Sequence, residues 1–355
     1  MIIKNRKFKK NLFKSNNSII NAIKKINSLN LKFLIIINDR RSVVGTITDG
    51  DLRRAIVNKN LITDNISRIM NKKFIFIKKN IDNDFGQLIL KKKSINVLPV
   101  LNLKKKIKYL IVPDEDINAN ETKENKILFI AGGKGKRLMP LTKNIPKPLL
   151  KISKNSIIHD LILNSITQGF NKFIISINYK AKKFRKIFEN GAHLNCSINY
   201  LQEKKPLGTA GPIKLLKKSD FQNKPMIVMN ADLITNIDLS ELINFHDKYK
   251  SDLTVCVKNI FFNIPYGEIE FNKNGIKKIH EKPNKSYFIN IGIYVINQSI
   301  LKILEKKEKF LDMNDLINLA IKKNFKVKVF PVYESWHDIG NKIDFNKLRN
   351  KKLNV

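Results

Sequence analysis

A glycine-rich segment contains the residues of this chain whose types and spacing best suit the binding of a phosphate chain. The run Lys126–Ala131 has the pattern of a buried strand, and three glycines follow it, Gly132, Gly133 and Gly135. Glycines let the backbone approach a phosphate closely and direct successive N–H groups toward it. Judged alone, these glycines are also compatible with an ordinary tight turn.

Fixed positive charge follows the glycines. Arg137 and Lys147 lie in the segment Phe129–Leu150, which also contains a Pro-Lys-Pro element. The segment does not match the P-loop pattern G-x-x-x-x-G-K-[ST], and Leu138 or Met139 replaces the last glycine of the dinucleotide pattern G-x-G-x-x-G. The combination of glycines and cations therefore indicates a phosphate-binding loop of another class.

Two aspartates are placed where a metal ion could bind. Asp232 ends the apolar strand pattern Met226–Asp232, and Asp338 follows the predicted strand Lys326–Pro331. Ligands of open α/β sheets collect at the carboxyl ends of strands, where a carboxylate is a natural Mg²⁺ ligand. Either aspartate alone could be an ordinary turn residue, whereas the two together favour a metal site.

Further polar segments follow the glycine-rich one. The segment Gln202–Pro212 comes after a short predicted strand and opens a helix with small residues, which also fits a closely packed helix N-terminus. The later segments are Tyr266–Glu270, Glu281–Pro283 and Asn290–Tyr294. A Glu-Lys pair such as that in Glu281–Pro283 is by itself usually a solvated surface pair. The meaning of these segments therefore depends on their order and context.

In this order the segments resemble the sugar-1-phosphate nucleotidyltransferase family, over about 220 residues from Lys126 onward. The resemblance implies a doubly wound, Rossmann-like (GT-A-like) α/β domain with Mg²⁺ shared by Asp232 and Asp338. The implied catalytic residues are Arg137, Lys147 and Lys282. The implied nucleotide-binding residues are Ala131, Gly132, Gly133, Gly135, Lys136, Gln202, Gly208 and Thr209. The implied sugar-binding residues are Gly267, Glu281 and Asn290.

The reaction implied by the resemblance converts an NTP and a sugar-1-phosphate into an NDP-sugar and pyrophosphate. The segment Leu207–Gly211 looks most like that of guanylyltransferases acting on mannose-type or amino-sugar phosphates, which favours GTP. Arg137 and Lys136 would face the two phosphates that leave, Lys147 the α-phosphate, and Lys282 the attacking phosphate. Most members of the family have Ser or Thr at the position of Lys136, so the chain departs from the pattern there.

The segment before Lys126 contains an internal repeat. A shift of 64 positions aligns Phe33–Asn38 with Val97–Asn102, and both copies are predicted to form strand, turn and strand. The acidic, polar run Pro113–Asn125 has the composition of a linker. We therefore predict an N-terminal domain over 1–115, with repeats at about 10–70 and 71–115, a linker over 116–125, and a second domain over 126–355.

The second predicted strand of the first copy ends in Gly-x-x-Thr-x-x-Asp, which resembles the signature of a cystathionine-β-synthase (CBS) domain pair, an α+β fold. The matching residues are Gly45, Thr48 and Asp51. The resemblance implies that they bind an adenine nucleotide, although Thr48 could instead only cap a helix. The second copy has Tyr109, Val112 and Glu115 at these positions. We therefore expect one nucleotide site and not two.

The composition is that of a globular protein. Of its 355 residues 43% are hydrophobic, and the formal net charge of +38 comes from basic residues spread along the whole length. Such charge suggests a polyanion-binding protein, but that class predicts basic residues interleaved with aromatic ones on one face, which the sequence lacks. We therefore expect no nucleic-acid partner.

Other features concern location and alternative functions. With two cysteines and no apolar run long enough to span a membrane, the sequence predicts a cytoplasmic protein that does not bind membranes. By resemblance we expect a homo-oligomer that serves surface-glycan (lipopolysaccharide) synthesis. A non-catalytic, nucleotide-sensing regulator is the alternative. Such a protein should have lost some of the charged residues implied in catalysis and metal binding, but all of them are present: Arg137, Lys147, Asp232, Lys282 and Asp338.

Overall fold

A computed structural model describes residues 2–29, 31–58, 63–93, 95–114, 122–304 and 310–353. The chain divides into two compact units, Met1–Glu121 and Thr122–Val355. Glu115 and residues 116–121 of the predicted linker lie outside the described residues. None of the helices in the described ranges is long and apolar enough to cross a membrane.

The first unit contains two three-stranded sheets with helices beside them. Its strands are β1 (Ile2–Lys4), β2 (Leu12–Lys14), β3 (Phe33–Ile37), β4 (Val43–Thr48), β5 (Leu98–Leu101) and β6 (Ile107–Ile111). Its helices are α1 (Ile19–Asn27), α2 (Asp49–Val57) and α3 (Asn83–Lys93). The strand orders are β2-β3-β4 and β1-β6-β5. In α1 the buried residues follow the spacing of one helix face, which explains why this segment is helical. They are Ile19, Ala22, Ile23 and Ile26.

The predicted repeat of strand, turn and strand is confirmed. Strands β3 and β4 form one antiparallel pair, and β5 and β6 form the other. The same shift of 64 positions carries the start of α1, Ile19, onto the start of α3, Asn83. Strand β2 pairs with β3 in parallel, and its counterpart in the second copy is the parallel bridge between Ile77 and Val100. The two copies therefore share more elements than the hairpins alone.

The second unit is built on a seven-stranded sheet. Its strands are β7 (Ile127–Ile130), β8 (Lys172–Ile177), β9 (Ser197–Gln202), β10 (Met226–Asn230), β11 (Leu233–Thr235), β12 (Leu253–Asn263), β13 (Glu268–Asn272), β14 (Gly275–His280), β15 (Asn284–Ile296), β16 (Val327–Pro331) and β17 (Trp336–Asp338). Its helices are α4 (Ile157–Thr167), α5 (Ala181–Phe188), α6 (Lys218–Phe221), α7 (Leu239–Lys248), α8 (Met313–Lys322) and α9 (Lys342–Leu353). The strand order is β16-β12-β15-β10-β7-β8-β9.

Both faces of this sheet are buried. In β7, Ile127 and Phe129 lie in one core cluster with residues of α4, α5 and α7, whereas Leu128 lies in another with residues of α6 and α8. A strand covered on both faces is apolar at every position, which explains the run Ile-Leu-Phe-Ile. Strands β7, β8, β9 and β10 run parallel to one another, and β15 runs antiparallel to β10 and β12. The expected α/β fold with helices on both faces is confirmed.

The topology brings several chain segments to one edge of the sheet. The parallel strands β7, β9 and β10 all end at this edge, where the glycine-rich segment, the segment after Gln202, and Asp232 begin. A small antiparallel pair, β11 with β17, places Asp338 opposite Leu233, the residue after Asp232. Residues more than 100 positions apart in the sequence therefore meet at this edge.

Candidate active site

A cleft of about 420 Å³ lies at the carboxyl ends of β7, β9 and β10. Most of the residues predicted to bind the nucleotide or to act in catalysis line it, together with one of the two predicted metal ligands. They are Ala131, Gly132, Gly133, Gly135, Lys136, Arg137, Lys147, Gly208, Thr209 and Asp232. The structure therefore brings the glycine-rich segment and the cations Lys136, Arg137 and Lys147 into one concave surface.

Lys147 lies between the two predicted metal ligands. Its ammonium group contacts Asp232 Oδ2 and lies 3.5 Å from Asp338 Oδ1. The lysine is 7% exposed, so its charge is held by these carboxylates. Burial raises the pKa of Asp338, and the neighbouring Asp232 raises it further, while Lys147 and Arg137 lower it.

The two aspartates fit a divalent cation by their chemistry. Carboxylate oxygens are ligands that Mg²⁺ accepts, and Mg²⁺ often binds through one or two carboxylates plus substrate phosphates and water. Both carboxylates are accessible, with the side chains of Asp232 and Asp338 27% and 41% exposed, so phosphate and water can reach a cation that they hold. Within the described ranges no group of three or more His, Cys, Asp or Glu side chains could hold a metal. The remaining ligands would therefore come from phosphate and water.

The glycines of the loop differ in what surrounds them. Gly135 has φ +62°, a left-handed conformation that favours glycine, and it begins the short 3₁₀ helix Lys136–Leu138. A Cβ atom on Gly132 would lie 2.3 Å from Glu203 Oε1, whereas a Cβ on Gly133 would meet no atom within 4 Å. Protein packing therefore requires a glycine at position 132, whereas at position 133 the protein leaves room for a side chain or a ligand.

Glu203 is a residue of the cleft that the sequence analysis missed. It is 4% exposed, and its carboxylate accepts hydrogen bonds from the Ser176 hydroxyl and from the Leu207 backbone N–H. The predicted neighbour Gln202 is exposed, does not line the cleft, and donates from Nε2 to the Ile177 carbonyl at 3.3 Å. Side chains alternate between faces along a strand, so an offset of one residue exchanges the side chain in the cleft for one outside it.

The segment Leu207–Gly211 is fixed against the start of α8. The Leu311 carbonyl accepts hydrogen bonds from the Ala210 and Gly211 N–H groups at 2.9 and 3.1 Å. The Thr209 hydroxyl accepts from the Met313 N–H at 2.8 Å. Thr209 therefore lines the cleft as predicted, but its hydroxyl caps α8.

The predicted sugar-binding residues and Lys282 lie outside the lining of the cleft. Gly267 and Glu281 are neighbours, because a Cβ on Gly267 would lie 3.3 Å from Glu281 Oε2. Lys282 Nζ lies 4.0 Å from Glu281 Oε1, and both side chains are exposed. Asn290 donates to Asn314 Oδ1 at 3.0 Å and accepts from the Gly292 N–H at 3.1 Å.

Gly292 connects the predicted sugar segment to the cleft. It has φ +76°, and a Cβ there would lie 2.4 Å from Asn230 Nδ2. Asn230 lines the cleft and was missed by the sequence analysis, as were Phe310, Asp312 and Gly340. For Asn230 a signal existed, since it stands two residues before Asp232 at the end of β10.

In the first unit, Thr48 and Asp51 form a capping box at the start of α2. The Asp51 N–H donates to Thr48 Oγ1 at 3.3 Å, and the Thr48 N–H donates to Asp51 Oδ2 at 2.8 Å. A Cβ on Gly45 would lie 2.9 Å from Met70 Sδ, so its close backbone approach is to the protein itself. The capping alternative for Thr48 is therefore observed.

In the second copy of the repeat, the residues at the positions of Gly45 and Thr48 contact the protein itself or are buried. The Tyr109 hydroxyl lies 3.1 Å from both the N–H and the carbonyl of Ile81. Val112, at the position of Thr48, is 2% exposed, and Glu115 lies outside the described residues. No hydroxyl corresponding to that of Thr48 is therefore present in this copy.

The second unit is similar in sequence to curated nucleotidyltransferases. A probable mannose-1-phosphate guanylyltransferase 1 of Oryza sativa subsp. japonica is 33% identical over 234 residues, and mannose-1-phosphate guanylyltransferase 1 of Arabidopsis thaliana is 32% identical over 230 residues. Each match covers 62% of this chain and 62% of the relative. The chain thus spans about three-fifths of the length of these relatives.

Solved structures have a similar fold. The crystal structure of HddC from Yersinia pseudotuberculosis matches with a TM-score of 0.51 and 26% identity, covering 64% of this chain and 99% of that chain. A putative glucose-1-phosphate thymidylyltransferase from Bacillus anthracis matches with a TM-score of 0.53 and 20% identity, covering 65% and 96%. At 20% identity, the second match shows the fold alone.

The family assignment rests on a match to a family model. The nucleotidyl transferase family model matches residues 126–354, which begin just before β7 and include every segment of the cleft. The glycine-rich loop, Lys147 and the two aspartates lie within this region. The chain belongs to the nucleotidyl transferase family.

Proposed function

We propose that this chain transfers a nucleotidyl group from GTP to a sugar-1-phosphate and releases pyrophosphate. The observation that carries the proposal is the contact of Lys147 with both Asp232 and Asp338, in the same cleft as the glycine-rich loop. The similarity to the plant mannose-1-phosphate guanylyltransferases supports both the reaction and the choice of GTP.

The reaction needs alignment and charge neutralisation more than proton transfer. An oxygen of the sugar phosphate attacks the α-phosphorus of GTP, and the bond to the leaving pyrophosphate oxygen breaks. That attacking oxygen is already anionic near neutral pH, so the reaction requires no general base. Lys136 and Arg137, which are exposed in the cleft, would neutralise the departing pyrophosphate. Lys147 would offset charge on the α-phosphate.

Two further roles belong to Mg²⁺ and to the predicted sugar-binding segments. Mg²⁺ held by Asp232 and Asp338 would neutralise phosphate charge when bound. Lys282 would hold the attacking phosphate in line, with Glu281, Gly267 and Asn290 near the sugar. Because Lys282 does not line the cleft, this role requires either that the sugar phosphate extend from the cleft to Lys282 or that the Lys282 segment approach the cleft.

The proposal is tested by pyrophosphate release over a matrix of four NTPs and a panel of sugar-1-phosphates with Mg²⁺. We expect turnover with GTP, first with mannose-1-phosphate or glucosamine-1-phosphate. Reactions without sugar phosphate control for simple hydrolysis, and chelation of Mg²⁺ should abolish the signal. Equal or better turnover with dTTP, UTP or CTP would contradict the base, and no turnover with any pair would contradict the reaction.

We further propose that the first unit is a CBS pair that binds one adenine nucleotide through Gly45, Thr48 and Asp51 and thereby modulates the transferase. The second copy lacks the corresponding hydroxyl, which supports one site. Following the sequence analysis, we also propose that the enzyme is a cytoplasmic homo-oligomer that supplies surface-glycan precursors. Regulation requires that the nucleotide bind two states of the protein with different affinities.

Calorimetry of the full chain with AMP should give a stoichiometry of one. Asp51→Asn removes the charge but keeps an oxygen for the Thr48 N–H, so it should weaken AMP binding while α2 stays capped. Asp39→Asn, in the exposed β3–β4 turn, is the matched control. Coupling of the usual size would change the KM for GTP about five- to 150-fold on adding AMP. A stoichiometry of two would contradict the proposal of a single site. An unchanged KM for GTP would contradict regulation of the transferase by AMP.

A further inference from the structure

The segment Phe310–Asp312 forms a wall of the cleft that no sequence pattern indicated. Phe310 and Asp312 both line the cleft beside Gly208 and Thr209. Leu311 between them is fixed by its backbone, because its carbonyl accepts from Ala210 and Gly211, and its N–H donates to the Leu207 carbonyl at 2.8 Å. This wall is therefore held in a defined position relative to the loop.

The Asp312 carboxylate is oriented by the protein and keeps one oxygen available. Its Oδ1 accepts hydrogen bonds from the Thr209 N–H at 3.2 Å and from the Thr209 hydroxyl at 3.3 Å. Within the described ranges, Oδ2 has no protein hydrogen-bond partner and the carboxylate has no ion pair. By contrast, both oxygens of Glu203 accept from protein donors, and Asp232 contacts Lys147. Asp312 is thus a fixed acceptor in the lining of the cleft.

The chemistry of an ionised carboxylate selects among the bases. It accepts hydrogen bonds and donates none. The Watson–Crick edge of guanine presents the ring N1–H and the exocyclic N2 amine side by side, both donors. Adenine and cytosine place a ring acceptor beside their amine, and uracil and thymine flank one N–H with two carbonyls. A fixed carboxylate therefore attracts guanine and repels part of the edge of every other base.

We propose that Asp312 Oδ2 accepts a hydrogen bond from the Watson–Crick edge of guanine and that Phe310 stacks on the base. The Phe310 side chain is 64% exposed although it lines the cleft, so its ring is accessible to a planar ligand. Bases stack on aromatic side chains with little dependence on sequence. Asp312 thus determines which base binds, and Phe310 contributes to the affinity for all of them. This inference rests on the proposed function and specifies its base.

The test compares dissociation constants of GTP, ITP and ATP by calorimetry with the full chain, without sugar phosphate, so that it does not depend on turnover. Asp312→Asn keeps an oxygen for Thr209 but replaces the charged acceptor. Because hydrogen bonds to charged groups are stronger than neutral ones, we expect this variant to bind GTP roughly 10- to 100-fold more weakly. Its affinity for ATP should change much less. ITP lacks the N2 amine, so the ratio of its dissociation constant to that of GTP measures how much this amine contributes to binding. Asp315→Asn, exposed on the same helix and outside the cleft lining, is the control.

Phe310→Ala separates affinity from selectivity, because it should weaken GTP and ATP by a similar factor and leave their ratio unchanged. If Asp312→Asn weakens GTP and ATP equally, Asp312 only holds the loop in place and the inference is overturned. Wild-type preference for another base overturns it as well. Selective GTP binding that Asp312→Asn removes, without pyrophosphate release from any sugar phosphate, supports the inference and contradicts the proposed reaction.

Discussion

Replacing Asp232 or Asp338 by Asn should lower kcat by at least about a hundredfold while leaving the fold intact. The two carboxylates share Lys147 at the end of β10 and in β17, outside the hydrophobic clusters of the sheet. Loss of one charged oxygen ligand from a site that neutralises phosphate should raise the barrier by about 3 kcal/mol or more, which corresponds to a hundredfold or greater loss of rate.

Asp338→Asn should have little effect on stability. Desolvation is the first cause of the raised pKa of Asp338, but its side chain is 41% exposed, so the cost that this places on the ionised form is small. A neutral Asn of similar shape removes that cost, although Lys147 then has one carboxylate fewer beside it. We therefore expect the midpoint of thermal unfolding at neutral pH to stay close to that of the wild type for Asp338→Asn.

The measurement is steady-state pyrophosphate release at saturating Mg²⁺ and substrates, with thermal unfolding recorded for each variant. Asp247→Asn, exposed on α7 and outside the cleft lining, is the matched control and should retain wild-type activity. Activity within fivefold of the wild type for either Asp232→Asn or Asp338→Asn would remove these residues from the proposed mechanism.

The residues that the sequence located well are those fixed by a strand end. Gly132, Gly133 and Asp232 directly follow apolar strands, and parallel strands of one sheet place their carboxyl ends together, so their proximity follows from local pattern plus fold class. Asp338 needed the resemblance in addition. Its position beside Asp232 depends on the pairing of β11 with β17, which no local pattern indicates.

The residues that the sequence missed depend on tertiary contacts or on register. Glu203 differs from the predicted Gln202 by one position, and strand alternation alone decides which side chain enters the cleft. Phe310 and Asp312 reach the cleft because the start of α8 hydrogen-bonds to a segment about 100 residues earlier. Such a contact has no signal in either segment, since each one alone is an ordinary loop or helix start.

The predicted sugar segments show a different limit. Glu281 and Lys282 lie between β14 and the outer half of β15, which pairs with β12 through exposed residues such as Phe262 and Tyr287. The sequence indicated that these segments belong together, and Gly267 and Glu281 are indeed neighbours. It could not indicate how far they lie from the cleft, because that distance depends on the length and course of the β12–β15 ribbon.

Gly132→Ala should lower stability, whereas Gly133→Ala should weaken nucleotide binding, although the two residues are adjacent. A methyl group at 132 would lie 2.3 Å from Glu203 Oε1, and Glu203 is buried and held by Ser176 and Leu207. The carboxylate therefore cannot move aside without breaking these hydrogen bonds. Overpacking of this kind costs about 1–3 kcal/mol, which predicts a fall in the thermal midpoint of roughly 2–12 °C.

A methyl group at 133 would meet no protein atom within 4 Å, so the nucleotide-free protein should unfold within about 1 °C of the wild type. It would instead stand where the backbone is expected to approach the phosphates of GTP, and should raise the KM for GTP roughly tenfold or more. Thermal unfolding without nucleotide and kinetics with it therefore separate the two roles. Equal midpoints for both variants would mean that Glu203 can yield to a methyl group. An unchanged KM for Gly133→Ala would mean that the phosphate chain does not contact this part of the loop, and the binding site would then have to be sought nearer to Lys136 and Arg137.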